Sequence, residues 1–290
     1  MTPDFPTAAA DALIALALAE DLGDAGDVTS LSTIPADRGG RATFVARTPG
    51  VVAGLPVIGL VFAQLNASVT VTLHAADGTS AERGTRLATV AGPLRAILTA
   101  ERTALNFLQR LSGVATLTRR YVDAVAGLPV ALLDTRKTTP GWRRLEKYAV
   151  RTGGGTNHRV GLYDGVLIKD NHLAGSPDAR TAVTDAIAAA RSHPASRHLP
   201  IEVEVDTLEQ LDEALAARPA IVLLDNMTNE QLREAVARRD RVAPGVLLEA
   251  SGGVNLATVR GIAETGVERI SVGALTHSAS ALDIALDYDS

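Results

Sequence analysis

All three lysines of the chain lie within one short stretch, residues 134–172. The remaining 25 of the 28 basic residues are arginines, spread over the whole length. Lysine offers a compact point charge and arginine a rigid fork, so the two are not interchangeable at a binding site. Between positions 136 and 169, eight cations stand against two acids, an excess of +6 in a protein of net charge −5. The stretch therefore predicts a site for an anion.

Four cations of this stretch favour a binding role because of their place in the predicted fold. Arg136, Lys137 and Lys169 follow predicted strands, and Arg159 lies beside His158 in a connecting loop. Chemistry in βα barrels takes place at the carboxyl ends of the strands. Several converging cations would hold a dicarboxylate, since two unit charges about 4 Å apart attract by roughly 4 kcal/mol at an effective dielectric near 20. A solvated basic face is the alternative, which we favour for Arg143, Arg144 and Lys147.

Acidic residues end the next predicted strands. Glu204 and Asp225 close neighbouring strands, and Glu202 shares a face with Glu204 because side chains alternate along a strand. Carboxylates at adjacent strand ends can hold Mg²⁺ together with a phosphate-bearing substrate. The alternative, in which an acid only pairs with Lys169 or an arginine, is open for Glu202 and less favoured for the other two.

Two glycine-containing loops follow the last two predicted strands. They are Ser251-Gly252-Gly253, predicted to open a helix over 256–265, and Val272-Gly273-Ala274, which also leads towards a helix. Free amides at a helix start bind phosphate, and βα barrels usually place phosphate at these loops. The alternative is that both are only tight turns.

The elements that must position these residues alternate in type over the second half of the chain. Six short β-rich runs, five of them closed or directly followed by a polar residue, are separated mostly by helical segments, and they cover residues 130–134, 165–169, 201–205, 220–225, 246–250 and 269–272. This alternation predicts parallel strands, and six strands instead of eight indicate an atypical, incomplete βα barrel.

The first hundred residues mix helices and strands without a parallel repeat. A helix over 93–125 with an interruption near Ser112-Gly113 suggests the domain boundary. We therefore predict an N-terminal α+β domain, 1–112, and a βα-barrel catalytic domain with a C-terminal helix, 113–290.

Composition excludes several classes of protein. The net charge of −5 argues against nucleic-acid binding, and the absence of cysteine excludes disulfides and thiolate catalysis. The apolar run 12–19 lacks a basic flank and is closed by Glu20-Asp21, so it predicts an amphipathic helix and not a signal peptide. No apolar stretch approaches the roughly 18 residues of a membrane span. We expect a cytoplasmic protein without membrane contact.

Long segments along nearly the whole chain resemble the quinolinate phosphoribosyltransferase family, also called nicotinate-nucleotide pyrophosphorylase (carboxylating). They are EDLGDAGDVTS at 20–30, VVAGL at 51–55, ERTALNFLQRLSG at 101–113, DTRKTTPGWR at 134–143, EKYAVRTGGGTNHR at 146–159, LIKDNH at 167–172, EVEVDTLEQL at 202–211, LLDNM at 223–227, LEASGGV at 248–254 and ISVGALTHS at 270–278. One departure is Thr152, where the family often has Cys. Because that position is not a required nucleophile, we expect no loss of function.

The resemblance implies the conversion of quinolinate and phosphoribosyl pyrophosphate to nicotinate mononucleotide, pyrophosphate and CO₂, with Mg²⁺ as cofactor, in NAD biosynthesis. The residues that would bind the two carboxylates of quinolinate are Arg136, Lys137, His158, Arg159 and Lys169, with Thr135 beside them and Arg102 supplied by the neighbouring subunit of a homodimer. Glu204 and Asp225 would serve the metal and the ribose hydroxyls. The 5′-phosphate would lie on Ser251, Gly252, Gly253, Val272, Gly273 and Ala274.

Within this family Lys137 and Lys169 are the groups expected to stabilise the negative charge of decarboxylation. One alternative is a related phosphoribosyltransferase with another anionic acceptor. A second is a non-catalytic sensor of phosphosugars or carboxylates. The first predicts changes among the cations between 135 and 169, and the second predicts loss of Glu204 and Asp225, yet all of these residues are present.

Overall fold

The computed structural model describes residues 3–174, 178 and 181–289 and divides into two units. The first comprises Met1–Arg119, Thr138–Gly154 and Leu275–Ser290, and the second comprises Arg120–Lys137 and Gly155–Ala274. The chain passes between the units four times. The single boundary predicted at 112/113 therefore does not separate them.

Both units contain helices and strands. The helices are α1 (Thr7–Leu22), α2 (Val28–Thr33), α3 (Pro56–Gln64), α4 (Leu94–Ala124), α5 (Arg143–Thr152), α6 (Asp170–Leu173), α7 (Ala182–Ser192), α8 (Leu208–Ala217), α9 (Asn229–Val242), α10 (Val259–Ala263) and α11 (Ala274–His277). The strands are β1 (Gly39–Ala46), β2 (Gly50–Val51), β3 (Thr70–Leu73), β4 (Ser80–Ala81), β5 (Arg86–Pro93), β6 (Ala131–Leu133), β7 (Val166–Ile168), β8 (Ile201–Val205), β9 (Ile221–Asp225), β10 (Leu247–Ser251), β11 (Arg269–Ser271) and β12 (Ile284–Tyr288).

The first unit is built on an antiparallel sheet of order β12-β1-β5-β3. Its outer strand β12 pairs with β1 from Ala42↔Tyr288 to Ala46↔Ile284. Of the predicted C-terminal helix, the structure contains the four residues of α11, and the last described element after it is the strand β12. The reason for the strand is visible in the sequence, because Ile284 and Leu286 are buried at a spacing of two, which is the period of a strand.

Helix α4 runs without a break through the predicted interruption at Ser112-Gly113. Gly113 is a packing position, since a Cβ there would lie 2.1 Å from the carbonyl oxygen of Ser280. Ser112 is fully buried, and its hydroxyl accepts from the backbone N–H of Ala53 at 3.0 Å. Both residues serve close packing inside the first unit, and neither ends the helix.

The second unit carries a parallel sheet of order β6-β11-β10-β9-β8-β7. These are the six predicted strands, and the prediction of an incomplete βα barrel is confirmed. Within the described part of the chain, the end strands β6 and β7 do not pair with each other, which leaves the barrel open on that side. Parallel pairing aligns the carboxyl ends of all six strands at one edge.

Helices α8 and α9 start at the same kind of signal, directly after β8 and β9. Thr207 and Gln210 form a capping box on α8, and Thr228 and Gln231 form one on α9. Each satisfies backbone N–H groups that a helix start leaves without partners. The caps fix where each strand turns into its helix, and therefore where its last side chains point. Within the described ranges, each helix is too short or too polar to cross a membrane.

Candidate active site

A cavity of about 440 Å³ opens at the carboxyl ends of the six parallel strands. Every strand contributes to it, either with its own last residues or with those directly after it. The lining residues are Thr135, Arg136, Lys137, His158, Arg159, Leu167, Lys169, Glu204, Leu223, Asp225, Glu249, Ser251 and Ser271. Nine of the sequence-predicted site residues are thus brought together in one place.

The loop after β6 presents Arg136 and Lys137 to the cavity. The hydroxyl of Thr135 accepts from the backbone N–H of Lys137 at 3.0 Å, so Thr135 shapes the turn that holds both cations. Asp134, which is fully buried, anchors the facing loop, because its carboxylate accepts from the His158 N–H at 2.9 Å and from the side chain of Asn157 at 2.6 Å. The position of Asp134 directly before the predicted cations was the signal that could have identified it.

Arg159 forms part of the wall beside Arg136. Its Nη1 donates to the carbonyl oxygen of Gly165 at 3.0 Å, which holds the guanidinium in place. Burial, and then the charge of Arg136, lower the pKa of Arg159 below its usual range. Two guanidinium groups this close repel each other, so an anion between them is favoured.

The His158 ring lines the cavity and contacts two buried carboxylates. Its Nε2 lies 3.0 Å from Glu202 Oε2 and 3.4 Å from Glu249 Oε1, and both acids are buried. Burial acts to lower the pKa of His158, but the hydrogen bonds and charges of Glu202 and Glu249 outweigh it and raise the pKa to about 9. On the other side of the ring, Nδ1 accepts from the Arg159 backbone N–H at 2.7 Å, which favours the neutral ring. In the protonated ring and in this neutral tautomer alike, Nε2 carries a proton that faces the carboxylates.

The two carboxylates differ in their surroundings. Burial, with the charge of Glu249, raises the pKa of Glu202. Burial also acts on Glu249, but His158 and Arg269 outweigh it and lower the pKa of Glu249. Arg269 Nε donates to Glu249 Oε2 at 2.7 Å and supplies a permanent positive charge. Glu202 thus pairs with a histidine, and Glu249, which the sequence did not single out, is part of the same cluster.

Glu204 and Asp225 lie at the ends of the adjacent strands β8 and β9, both on the cavity. One oxygen of Glu204 accepts from Lys169 Nζ, so the less favoured alternative, an ion pair of Glu204, is what the structure contains. The carboxylate of Asp225 accepts from the side chain of Asn226 at 2.6 Å. Oxygen atoms from two neighbouring strand ends fit the preference of Mg²⁺ for hard ligands and retained water.

The predicted phosphate loops take up different positions. Ser251 lines the cavity, and Gly252 and Gly253 follow it with φ of +95° and +60°. They do not open a helix as predicted, because α10 begins only at Val259. Before α10, the side-chain oxygen of Asn255 accepts hydrogen bonds from the backbone N–H groups of Ala257 and Thr258, which forms a turn. A side chain at Gly252 would collide with Asn226, which requires glycine there.

The remaining predicted residues are not among those that line the cavity. Val272 is buried after β11, and its N–H donates to the carbonyl oxygen of Leu133; Gly273 and Ala274 follow it into the short helix α11. Arg102 lies exposed on α4 in the first unit. Its predicted role in a neighbouring subunit's cavity stays a prediction.

Comparison with known protein families covers nearly the whole chain. Residues 27–112 match the model of the quinolinate phosphoribosyl transferase N-terminal domain, and residues 114–287 match the C-terminal domain of the same family. The chain belongs to the quinolinate phosphoribosyltransferase family. The two family models meet near the boundary predicted from the sequence, whereas the compact units of the fold are discontinuous.

Individual relatives agree with this family. The chain is 48% identical over 289 residues to nicotinate-nucleotide pyrophosphorylase [carboxylating] of Mycobacterium leprae, covering 99% of this chain and 100% of the relative. A probable enzyme of the same name from Bacillus subtilis is 44% identical, with coverage of 92% and 89%. The solved nicotinate-nucleotide pyrophosphorylase of Francisella tularensis is 38% identical with a TM-score of 0.88, covering 100% of this chain and 99% of that structure.

Proposed function

We propose that the chain transfers the phosphoribosyl group of phosphoribosyl pyrophosphate to quinolinate with loss of one carboxylate. The products are nicotinate mononucleotide, pyrophosphate and CO₂, as in NAD biosynthesis. The observation that carries the proposal is the cavity at the strand ends, where four predicted cations face two predicted acids. The names of the relatives support the same reaction.

The cations bind and orient the pyridine dicarboxylate. Arg136, Lys137 and Arg159 line the cavity on the side of β6 and its following loop, and Lys169 lines it after β7. Charges that converge on a fixed position cost little reorganisation when the substrate binds. When both carboxylates are bound, the ring nitrogen is oriented towards the ribose carbon that it attacks. This proximity favours the reaction.

The acids act on the sugar. Departure of pyrophosphate leaves positive charge on the ribose ring, and the carboxylates of Glu204 and Asp225 stabilise that charge. Both would also hold Mg²⁺, whose chemistry when bound is to neutralise the charge of the leaving pyrophosphate. Lys169 occupies one Glu204 oxygen, so we propose that this lysine turns to the substrate carboxylate when Glu204 takes up its partners in the complex.

Decarboxylation follows from the charge gained by the ring. Once its nitrogen is bonded to ribose, the bond from the ring to the adjacent carboxylate breaks, CO₂ leaves, the electron pair remains on the ring carbon, and a proton from solvent then takes the place of the carboxylate. We propose that Lys137 and Lys169 stabilise this developing negative charge. The 5′-phosphate is assigned to the loops Ser251–Gly253 and 272–274.

Assembly and location are further parts of the proposal. We propose a cytoplasmic homodimer with shared active sites, in which Arg102 of one subunit completes the cavity of the other. A larger assembly could be built from this dimer. Variant Arg102→Ala should raise KM for quinolinate, and mixing it with a second variant defective in Lys137 should restore part of the activity if sites are shared.

The reaction is tested by product analysis of the purified protein with Mg²⁺ and phosphoribosyl pyrophosphate. Quinolinate is supplied in one reaction and nicotinate in the other. We expect nicotinate mononucleotide and CO₂ from quinolinate and no product from nicotinate. Tight quinolinate binding without product would favour the sensor, and product from another anionic acceptor would favour the related transferase.

A further inference from the structure

Glu249 is an acid at the wall of a cavity that should attract anions. Its side chain is completely buried, and it lies two residues before Ser251 on β10. A carboxylate in this place repels a dicarboxylate unless neighbouring positive groups compensate its negative charge. The contacts of Glu249 identify the groups that compensate this charge.

Arg269 holds one end of the Glu249 carboxylate. The two residues face each other across the parallel pair β10 and β11, and Arg269 Nε donates to Glu249 Oε2 at 2.7 Å. Such a charge-assisted bond fixes the plane of the carboxylate. The second oxygen, Oε1, is therefore directed at His158 Nε2, 3.4 Å away.

Only one neutral tautomer of the His158 ring fits its contacts. Because the Arg159 backbone N–H donates to Nδ1, the proton of the neutral ring must lie on Nε2. Nε2–H then faces the two carboxylates, with Glu202 Oε2 nearer at 3.0 Å, whereas the buried Glu249 Oε1, 3.4 Å away, makes no hydrogen bond among the described residues and acts on the ring through its charge. The ring is thus held on both sides, and its backbone is held by Asp134.

We infer that Glu249 is a positioning residue of the proposed reaction, which fixes the His158 ring so that the wall formed by His158 and Arg159 stays in place against a dicarboxylate. The inference rests on the proposed function for its substrate and on the contacts of the cluster for its mechanism. Arg269 acts behind Glu249, and Glu202 shares its task.

The variant Glu249→Gln tests this with little change in shape. The amide has one acceptor atom and one donor group, so if its oxygen accepts from Arg269, its NH₂ faces Nε2–H of His158. Two donors would then oppose each other where a carboxylate charge attracted the ring, and the other tautomer of the ring would clash with the Arg159 N–H. The ring must therefore shift.

We expect kcat/KM for quinolinate to fall about ten-fold or more in Glu249→Gln, because a buried charge contact of the His158 ring is replaced by a contact between two donors. KM for phosphoribosyl pyrophosphate should change by less than about two-fold, since the contacts of Glu249 are to His158 and Arg269, which are not among the residues proposed to bind that substrate. The matched control is Glu268→Gln, whose carboxylate pairs with Arg239 and accepts from the Leu248 N–H, without contact to His158. Its KM for quinolinate should remain that of the wild type.

A double-mutant cycle with His158→Asn separates positioning from a general loss of stability. If Glu249 acts through His158, Glu249→Gln should cost less than about two-fold further in the His158→Asn background. A full additional ten-fold loss there, or an equal rise in both KM values, would overturn the inference. If Glu249→Gln does not fold, the same cycle is run with Glu202→Gln, for which a fall in the same direction is expected, since Glu202 contacts the same ring nitrogen at 3.0 Å.

A measurement without substrate keeps this inference distinct from the proposed reaction. In the ¹⁵N-labelled protein, a slowly exchanging Nε2–H signal of His158 should be present in the wild type and in Glu268→Gln, and shifted or lost in Glu249→Gln. An unchanged signal in Glu249→Gln would refute the positioning role of Glu249 even if the wild type converts quinolinate. A wild type that shows the signal but does not convert quinolinate would refute only the proposed function.

Discussion

The ion pair of the partly exposed Arg110 and the buried Glu146 offers a stability prediction whose size follows from its contacts. Glu146 is completely buried, and its Oε1 accepts from Arg110 Nη2 at 2.6 Å and from Arg110 Nε at 3.1 Å. The same carboxylate accepts from the backbone N–H and the hydroxyl of Thr139 at 3.1 and 2.9 Å. Arg110 also donates to the carbonyl oxygens of Thr276 and Ala279. This one pair therefore joins three separate segments of the first unit.

The variant Glu146→Gln keeps the shape of the side chain and removes its charge. Breaking a fully buried pair by removing one partner costs about 3 kcal/mol or more, but Arg110 is partly exposed and keeps the carbonyl oxygens of Thr276 and Ala279, so the cost here is lower. Two of the four hydrogen bonds at this carboxylate come from a guanidinium and are of the stronger, charge-assisted kind. We therefore expect the free energy of unfolding to fall by about 2 kcal/mol.

Equilibrium unfolding in urea, followed by circular dichroism, measures this loss. The control is Glu264→Gln, which removes the charge from the exposed pair of Arg260 and Glu264 on one face of α10. An exposed pair at this spacing contributes about 0.3–0.5 kcal/mol, so the control should be almost neutral. Equal losses in the two variants would refute the argument that burial determines the value of the pair.

Three further predictions test the site and the packing. Lys137→Ala should abolish turnover while its unfolding curve remains that of the wild type, and wild-type-like turnover would remove Lys137 from the mechanism. Gly153→Ala should lower the unfolding free energy by about 1–3 kcal/mol because a Cβ there would lie 2.4 Å from a backbone oxygen of α4, whereas Gly59→Ala, with open space around it, should be neutral or stabilising. Asp27→Ala should cost about 1 kcal/mol, since Asp27 caps α2. Hydrogen bonds from Ser30 lower the Asp27 pKa below 3.8, so this contribution is present above pH 3.8 and is lost as the pH falls through the folded-state pKa, which urea unfolding at several pH values measures.

Much of the fold and the cavity could be predicted from local patterns. The six parallel strands have short apolar runs with polar ends, and the rule that barrel chemistry lies at strand ends selected Lys169, Glu204 and Asp225 before any geometry was known. This succeeded because parallel pairing brings every strand end to one edge, whatever the details of packing.

Long-range pairings could not be predicted in this way. Strand β12 adds to β1 some 240 positions away in the chain, and the helix at Gly113 continues because a distant segment packs on it. Glu249 could not be identified from the sequence for a related reason. Its role depends on the register of β10 with β11 and on the loop that places His158 next to it. Such relations depend on the three-dimensional arrangement and have no local signal.

Release of ¹⁴CO₂ from quinolinate labelled in its 2-carboxylate tests the central claim most directly. The purified protein is supplied with phosphoribosyl pyrophosphate and Mg²⁺, and nicotinate mononucleotide is quantified in the same reaction. The account predicts equal amounts of CO₂ and mononucleotide, dependent on phosphoribosyl pyrophosphate and absent in Lys137→Ala. Mononucleotide formed without CO₂, or no product from quinolinate at all, would contradict it.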